Sequence, residues 1–140
     1  MYKELEKFKV SDKFSFAADD SLEQACNASE GSGVFLVYTV AEEKELIMVG
    51  STGTVQNDGT LKIKNGGLKE KIVEGHQFAK TGRKYSWPAQ MKKEDITLLE
   101  VVWYETFNEE TKGIPTAVEG QVLQNFFDEN GRLPRWNVAF

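Results

Sequence analysis

The sequence predicts a small α/β (α+β) domain, a sandwich with a three-stranded, mainly antiparallel sheet flanked by helices. Three observations carry that expectation. Residues 33–40, GVFLVYTV, and residues 96–107, ITLLEVVWYETF, are rich in β-branched and aromatic side chains, the first as a continuous apolar run and the second with alternation. Residues 46–49, LIMV, follow a charged turn and return antiparallel to the first strand as a hairpin. Residues 115–130 place apolar side chains on a 3.6-residue period, opened by Pro115 and stopped by Gly131. At 140 residues the chain can bury a real core, and no linker or internal repeat divides it.

The elements follow in order. Residues 1–32 read as an N-terminal extension whose Phe8, Phe14 and Phe16 pack onto the body. Within it, Asp20-Ser21-Leu22-Glu23 reads as a capping box that opens a two-turn helix over residues 21–28. Residues 33–140 then form the main domain. The hairpin's second strand is expected to stop at Gly50, and Asn57-Asp58-Gly59 marks a further turn. Residues 53–67 are a polar insertion with room for a short hairpin of their own. Neither GxxxxGK[ST] nor GxGxxG occurs, so the glycines here do not make a known phosphate loop. A helix over residues 68–77 would put Leu68, Ile72, Gly75 and His76 on one side, with Lys71 at the border. Residues 78–94 are a loop or a helix, with Tyr85 and Trp87 among basic residues; Trp87-Pro88 reads as an anchor to the core. The strand at 96–107 is expected to be central.

Composition narrows the chemistry. The start, MYKELEKFKV, has no apolar signal-peptide core, and no run is long enough to span a membrane, so a cytoplasmic protein without membrane contact is expected. A single cysteine, Cys26, excludes an internal disulfide and suits a reducing compartment. One Cys and one His exclude a Cys/His zinc cluster. Any metal would be held mainly by oxygen, which favours magnesium or manganese. The net charge of −5 is unevenly spread: residues 61–93 hold nine basic and two acidic side chains, a net +7, so the remainder is −12. Lys62, Lys64, Lys69, Arg83 and Lys84 of that segment are candidates for binding a nucleic-acid backbone. A solvated lysine-rich surface is the plainer alternative.

Glu119 is the most informative single residue. On a helical period it falls within the arc of Val122, Leu123, Phe126 and Phe127. A carboxylate on an apolar face is costly unless something positive meets it. Either it snorkels or pairs with a lysine, or it is a metal-binding or catalytic carboxylate.

Taken together, these stretches resemble the GIY-YIG nuclease family, across residues 33–137. Gly33-Val34-Phe35 stands where the family has GIY, and Met48-Val49-Gly50 where it has YIG, followed by the small polar run Ser51-Thr52-Gly53. Leu68-Lys69-Glu70-Lys71-Ile72, ending near His76, matches the helix that carries an arginine and often a histidine. Val118-Glu119-Gly120-Gln121 matches the helix with the metal-ligand glutamate, and Asn137 the closing asparagine. The 53–67 insertion is similar to that of a bacterial subgroup. The resemblance implies metal-dependent phosphodiester hydrolysis of DNA, in preference to RNA, by an endonuclease that is a monomer or weak dimer. Mg2+ or Mn2+ would sit on Glu119, Lys71 would stabilise phosphate charge, and His76 is the candidate base. Gly50, Ser51 and Asn137 would support the site. Phe35 and Met48 replace the two motif tyrosines and Lys71 replaces the arginine, so reduced activity is expected. The alternative on the same fold is an inactive module that binds nucleic acid or another protein.

Overall fold

The computed structural model of this chain describes residues 2–62 and 65–140. After a 3-10 turn at Lys3–Leu5 come β1 (Ser11–Ala17), α1 (Leu22–Ala25), β2 (Ser32–Thr39), β3 (Glu45–Thr52), β4 (Thr54–Val55) and β5 (Leu61–Lys62). They are followed by α2 (Gly67–Glu74), α3 (Arg83–Lys93), β6 (Leu98–Phe107) and α4 (Pro115–Asn130). The fold is mixed α and β, with four strands in its main sheet in the order β1-β6-β2-β3, and β4-β5 as a separate small hairpin within the 53–67 insertion. Every pairing is antiparallel.

The expected count of three strands is therefore corrected to four. The N-terminal stretch supplies the extra one: β1 pairs with β6 from Ser11↔Tyr104 to Ala17↔Leu98. Phe14 and Phe16 are buried with Ser15 between them, the period-2 pattern of a strand in a stretch too short to stand out. The capping expectation at 20–23 shifts by one residue. Ser21 is the N-cap and its Oγ accepts the Gln24 N–H at 3.3 Å, while Asp20 accepts the Ala17 N–H at 2.9 Å. The helix it opens is a single turn, because Cys26 already has extended backbone angles.

β3 does not stop at Gly50. It continues to Thr52, and Gly50 sits opposite Phe35, where a Cβ would lie 2.4 Å from the Phe35 ring. The glycine makes room for that ring instead of ending the strand. α2 stops at Glu74, earlier than expected, with Gly75 leaving helical geometry at ψ 141°. α4 matches its signals: Pro115 opens it, and Gly131, at φ 71°, closes it by donating to the Phe127 carbonyl.

Helices cover both faces of the sheet. Phe14, Phe16, Phe35, Val37, Met48 and Leu99 pack with Leu68 and Ile72 of α2 and Trp87 and Met91 of α3. Val34, Leu36 and Val49, on the other face, pack with Val118, Val122, Leu123 and Phe126 of α4. β3 is a sheet edge, and the C-terminal segment closes its outer side. Trp136 N–H donates to the Ile47 carbonyl at 2.8 Å, and the Asn137 amide bonds both the N–H and the C=O of Val49 at 2.9 Å. Among the described residues no helix is long and apolar enough to cross a membrane.

Candidate functional site

Because β3 is an edge strand, α2 on one face and α4 on the other can approach each other around its end. There they border a cleft of about 390 Å³, walled by Ser51, Thr52, Gly53 and Thr54 after the hairpin, Glu70, Lys71, Glu74 and Gly75 of the α2 side, and Thr116 in the first turn of α4. Ser51 pairs with Val34 across the hairpin and so points to the α4 face, where its hydroxyl donates to Glu119 Oε1 at 2.6 Å. Glu119 is not itself a wall of the cleft. It stands behind Ser51 and one turn along α4 from Thr116.

Burial pushes the Glu119 carboxyl above its ordinary pKa, and this outweighs the Ser51 hydrogen bond and the positive charge of Lys71, which both pull it down. Three of the expected site residues thus meet here: Glu119, Ser51 and Lys71. Lys71 is exposed, lines the cleft and interacts electrostatically with Glu119 across the sheet edge.

The motif positions lie elsewhere. Phe35 is fully buried and Met48 nearly so, both in the core under α2 and α3, on the opposite sheet face from Glu119. Tyr38 faces α4, as its odd offset from Phe35 requires. Its phenol is held far above the ordinary range, chiefly by burial and then by Tyr2, Tyr104 and Glu100, so it is no base for the cleft at neutral pH.

His76 is not brought to Glu119. It lies beyond the end of α2, exposed, with its backbone bridged to Gly82, and it does not line the cleft. Its expected place on the α2 face fails because the helix ends before reaching it. Asn137 supports the site from a distance, by holding the β3 edge at Val49, two residues before Ser51.

The basic segment is mostly occupied with its own structure. Arg83, expected at a nucleic-acid surface, is 5 % exposed. Its guanidinium lies over the rings of Phe35 and Trp87, at 5.5 and 5.8 Å from their centroids. It donates Nε–H to Gln77 Oε1 at 2.9 Å and Nη1–H to the Lys71 carbonyl. Burial draws its pKa down to about 10, which still leaves it charged at neutral pH. The signal for this was present: Arg83, Ser86, Trp87 and Met91 share one helical face, and all four are buried. Lys69 donates to the Cys26 carbonyl at 3.1 Å, and Lys84 pairs with Glu74 at 2.7 Å. Lys62 is exposed on β5, and Lys64 lies outside the described residues.

For a metal, the oxygen donors are Glu70, Glu74 and the Ser51 hydroxyl on the cleft wall and the half-buried Glu119 carboxylate behind Ser51. Hard oxygen ligands fit magnesium or manganese, which keep much of their water and often bind through one carboxylate plus substrate phosphate. Among the described residues no three His, Cys, Asp or Glu side chains converge into a metal cluster. Comparison of the chain with protein-family models, curated proteins and solved structures returns no match.

Proposed function

We propose that the cleft at the end of β3 receives a phosphodiester of nucleic acid, DNA in the first instance. On this reading the chain is a GIY-YIG-type, divalent-metal-dependent endonuclease of reduced activity. The observation that carries it is the meeting of Glu119, Ser51 and Lys71 at one sheet edge, reached from both faces of the sheet. Glu119 keeps a carboxylate where burial penalises its charge, and a bound cation would relieve that penalty. Mg2+ or Mn2+, when bound, polarises a phosphoryl oxygen and acidifies a water molecule. Ser51 fixes one carboxylate oxygen of Glu119. Lys71 answers the negative charge that builds on the phosphoryl oxygens, as a point charge without the fork of an arginine.

Neither Phe35 nor Met48 can accept a proton, and His76 stands off the cleft. Loss of a positioned base costs roughly a hundredfold to ten-thousandfold in rate. That same observation favours the second reading, an inactive nucleic-acid-binding or protein-interaction module on the same fold. We place the protein in the cytoplasm, on its single free, buried Cys26, and as a monomer or weak dimer.

Nicking of supercoiled plasmid with Mg2+ or Mn2+ separates the two. Slow cleavage that disappears in Glu119→Ala supports the enzyme. Equal absence of cleavage in both proteins, at high concentration and low salt, removes it.

A further inference from the structure

Two large aromatic side chains that the core does not use follow α2: Phe78 in the connection between α2 and α3, and Tyr85 in the first turn of α3. Phe78 is 47 % exposed and Tyr85 63 % exposed. Neither sits on a loose loop. The His76–Gly82 backbone bridge closes residues 77–81 at their base, and the Tyr85 N–H donates to the Gly82 carbonyl at 2.9 Å. Gln77 ties the loop to its surroundings: its Oε1 accepts from Arg83 and from Trp87 Nε1, and its Nε2 donates to the Trp136 carbonyl.

Phe78 is held at φ 68°, in the left-handed region that a residue with a Cβ rarely takes. Such strain persists only where the surroundings impose it, and it gathers at sites of function. The ring meets Trp136 edge-on, with centroids 4.9 Å apart, so it is braced on one side and open on the other. At Tyr85, the Lys84 ammonium lies 5.3 Å from the ring centroid.

The position of the two rings relates them to the cleft. The loop leaves the cleft wall directly after Gly75, and Lys84, beside Tyr85, is bound to Glu74 of the same wall. Around them the surface is polar and charged, with His76, Lys80, Thr81, the Lys84–Glu74 ion pair and Glu23 near Lys84, and no large aliphatic side chain of this connection is exposed. Exposed aromatic rings beside ammonium groups match the π-faces of nucleobases on a charged backbone.

We infer that Phe78 and Tyr85 each offer a base-stacking face to unpaired nucleotides flanking the phosphodiester in the cleft. It rests on the nucleic-acid reading of the cleft and adds a substrate class to it. The preferred ligand has single-stranded or splayed bases next to the bound phosphate, since paired bases have no face to offer.

The test is a fluorescence-anisotropy titration with three probes of equal length: a single-stranded oligonucleotide, its abasic counterpart and a duplex. Phe78→Asn removes the ring in a residue that accepts a left-handed backbone, Tyr85→Ala removes the second ring, and Phe78→Trp keeps a stacking face. Loss of one stacked base weakens single-strand binding about 5- to 150-fold. Each ring-removing variant should show that loss on the single-stranded probe, with Phe78→Trp near wild type. The abasic probe should bind wild type and variants alike, and the salt dependence should be unchanged. Equal single-strand affinity in wild type and ring-less variants, or the same loss on the abasic probe, overturns the subsite while leaving the cleft reading intact. No binding of any probe by the wild-type protein at low salt overturns both.

Discussion

Glu119 is a carboxylate whose folded surroundings disfavour its charge, and the sign of that effect can be tested. Its pKa is raised in the fold by burial, so the unfolded chain ionises it at lower pH. Between the unfolded pKa and the folded one the native state holds more protons, so stability falls as pH rises through that window and stays lower above it. Glu119→Gln keeps a group that can accept the Ser51 hydroxyl and removes the charge. Its melting temperature should exceed that of wild type at pH 7, and the gap should close below about pH 4, where the unfolded carboxyl is also protonated. Added Mg2+ should raise the wild-type melting temperature and leave the variant where it is. If Glu119→Gln melts lower than wild type at neutral pH, the charge serves a structural ion pair and the metal-ligand role loses its basis.

At the scale of elements, the C-terminal segment earns its place by finishing an edge. An unpaired strand edge exposes a row of backbone groups, and here Asn137 satisfies both polar groups of Val49, a residue 1 % exposed. Asn137→Ala leaves a buried N–H and C=O without these partners and should cost about 2 kcal/mol or more of unfolding free energy. Urea denaturation measures it. Well below the melting temperature, the cleft's affinity for ligand should stay close to wild type; a lost affinity in a stable variant would make Asn137 part of the site proper. The same elements explain what could be read in advance. β2, β6 and α4 carry long, consistent patterns, and their ends at Pro115 and Gly131 carry helix-boundary chemistry. β1 was hidden because its strand signal rests on two phenylalanines in seven residues. The end of α2 is not legible because Gly75 and His76 continue the pattern of its buried side in sequence while the backbone has already turned away. α3 reads as a loop or a helix because its charges and Pro88 blur a buried face set by Arg83, Ser86, Trp87 and Met91.

At the scale of the molecule, charge counted along the chain and charge offered to a partner are different quantities. Glu119 and Lys71 are each legible as residues on a defined helix face; that they share one site is an expectation of the family resemblance, and the sheet edge lets the two faces meet. The lysine-rich segment was not legible in the same way, since its partners come from elsewhere in the fold. Lys69 is bound to the Cys26 carbonyl, Lys84 to Glu74 and Lys92 to Asp19, and Arg83 is buried against Phe35. Glu70 and Glu74 also line the cleft. Lys69, Arg83, Lys84 and Lys92 can therefore meet a nucleic-acid backbone only by first giving up a contact. Each phosphate neutralised on a duplex adds about 0.9 to the slope of log affinity against log salt. The slope for this protein should thus be shallow, about 1 to 3 in magnitude, well below what nine basic residues would suggest. Glu74→Gln releases Lys84 from its ion pair and should steepen the slope by about one unit. A wild-type slope of about 6 or more would mean that the lysines leave their partners on binding, and that the whole 61–93 segment, and not the cleft edge alone, grips the backbone.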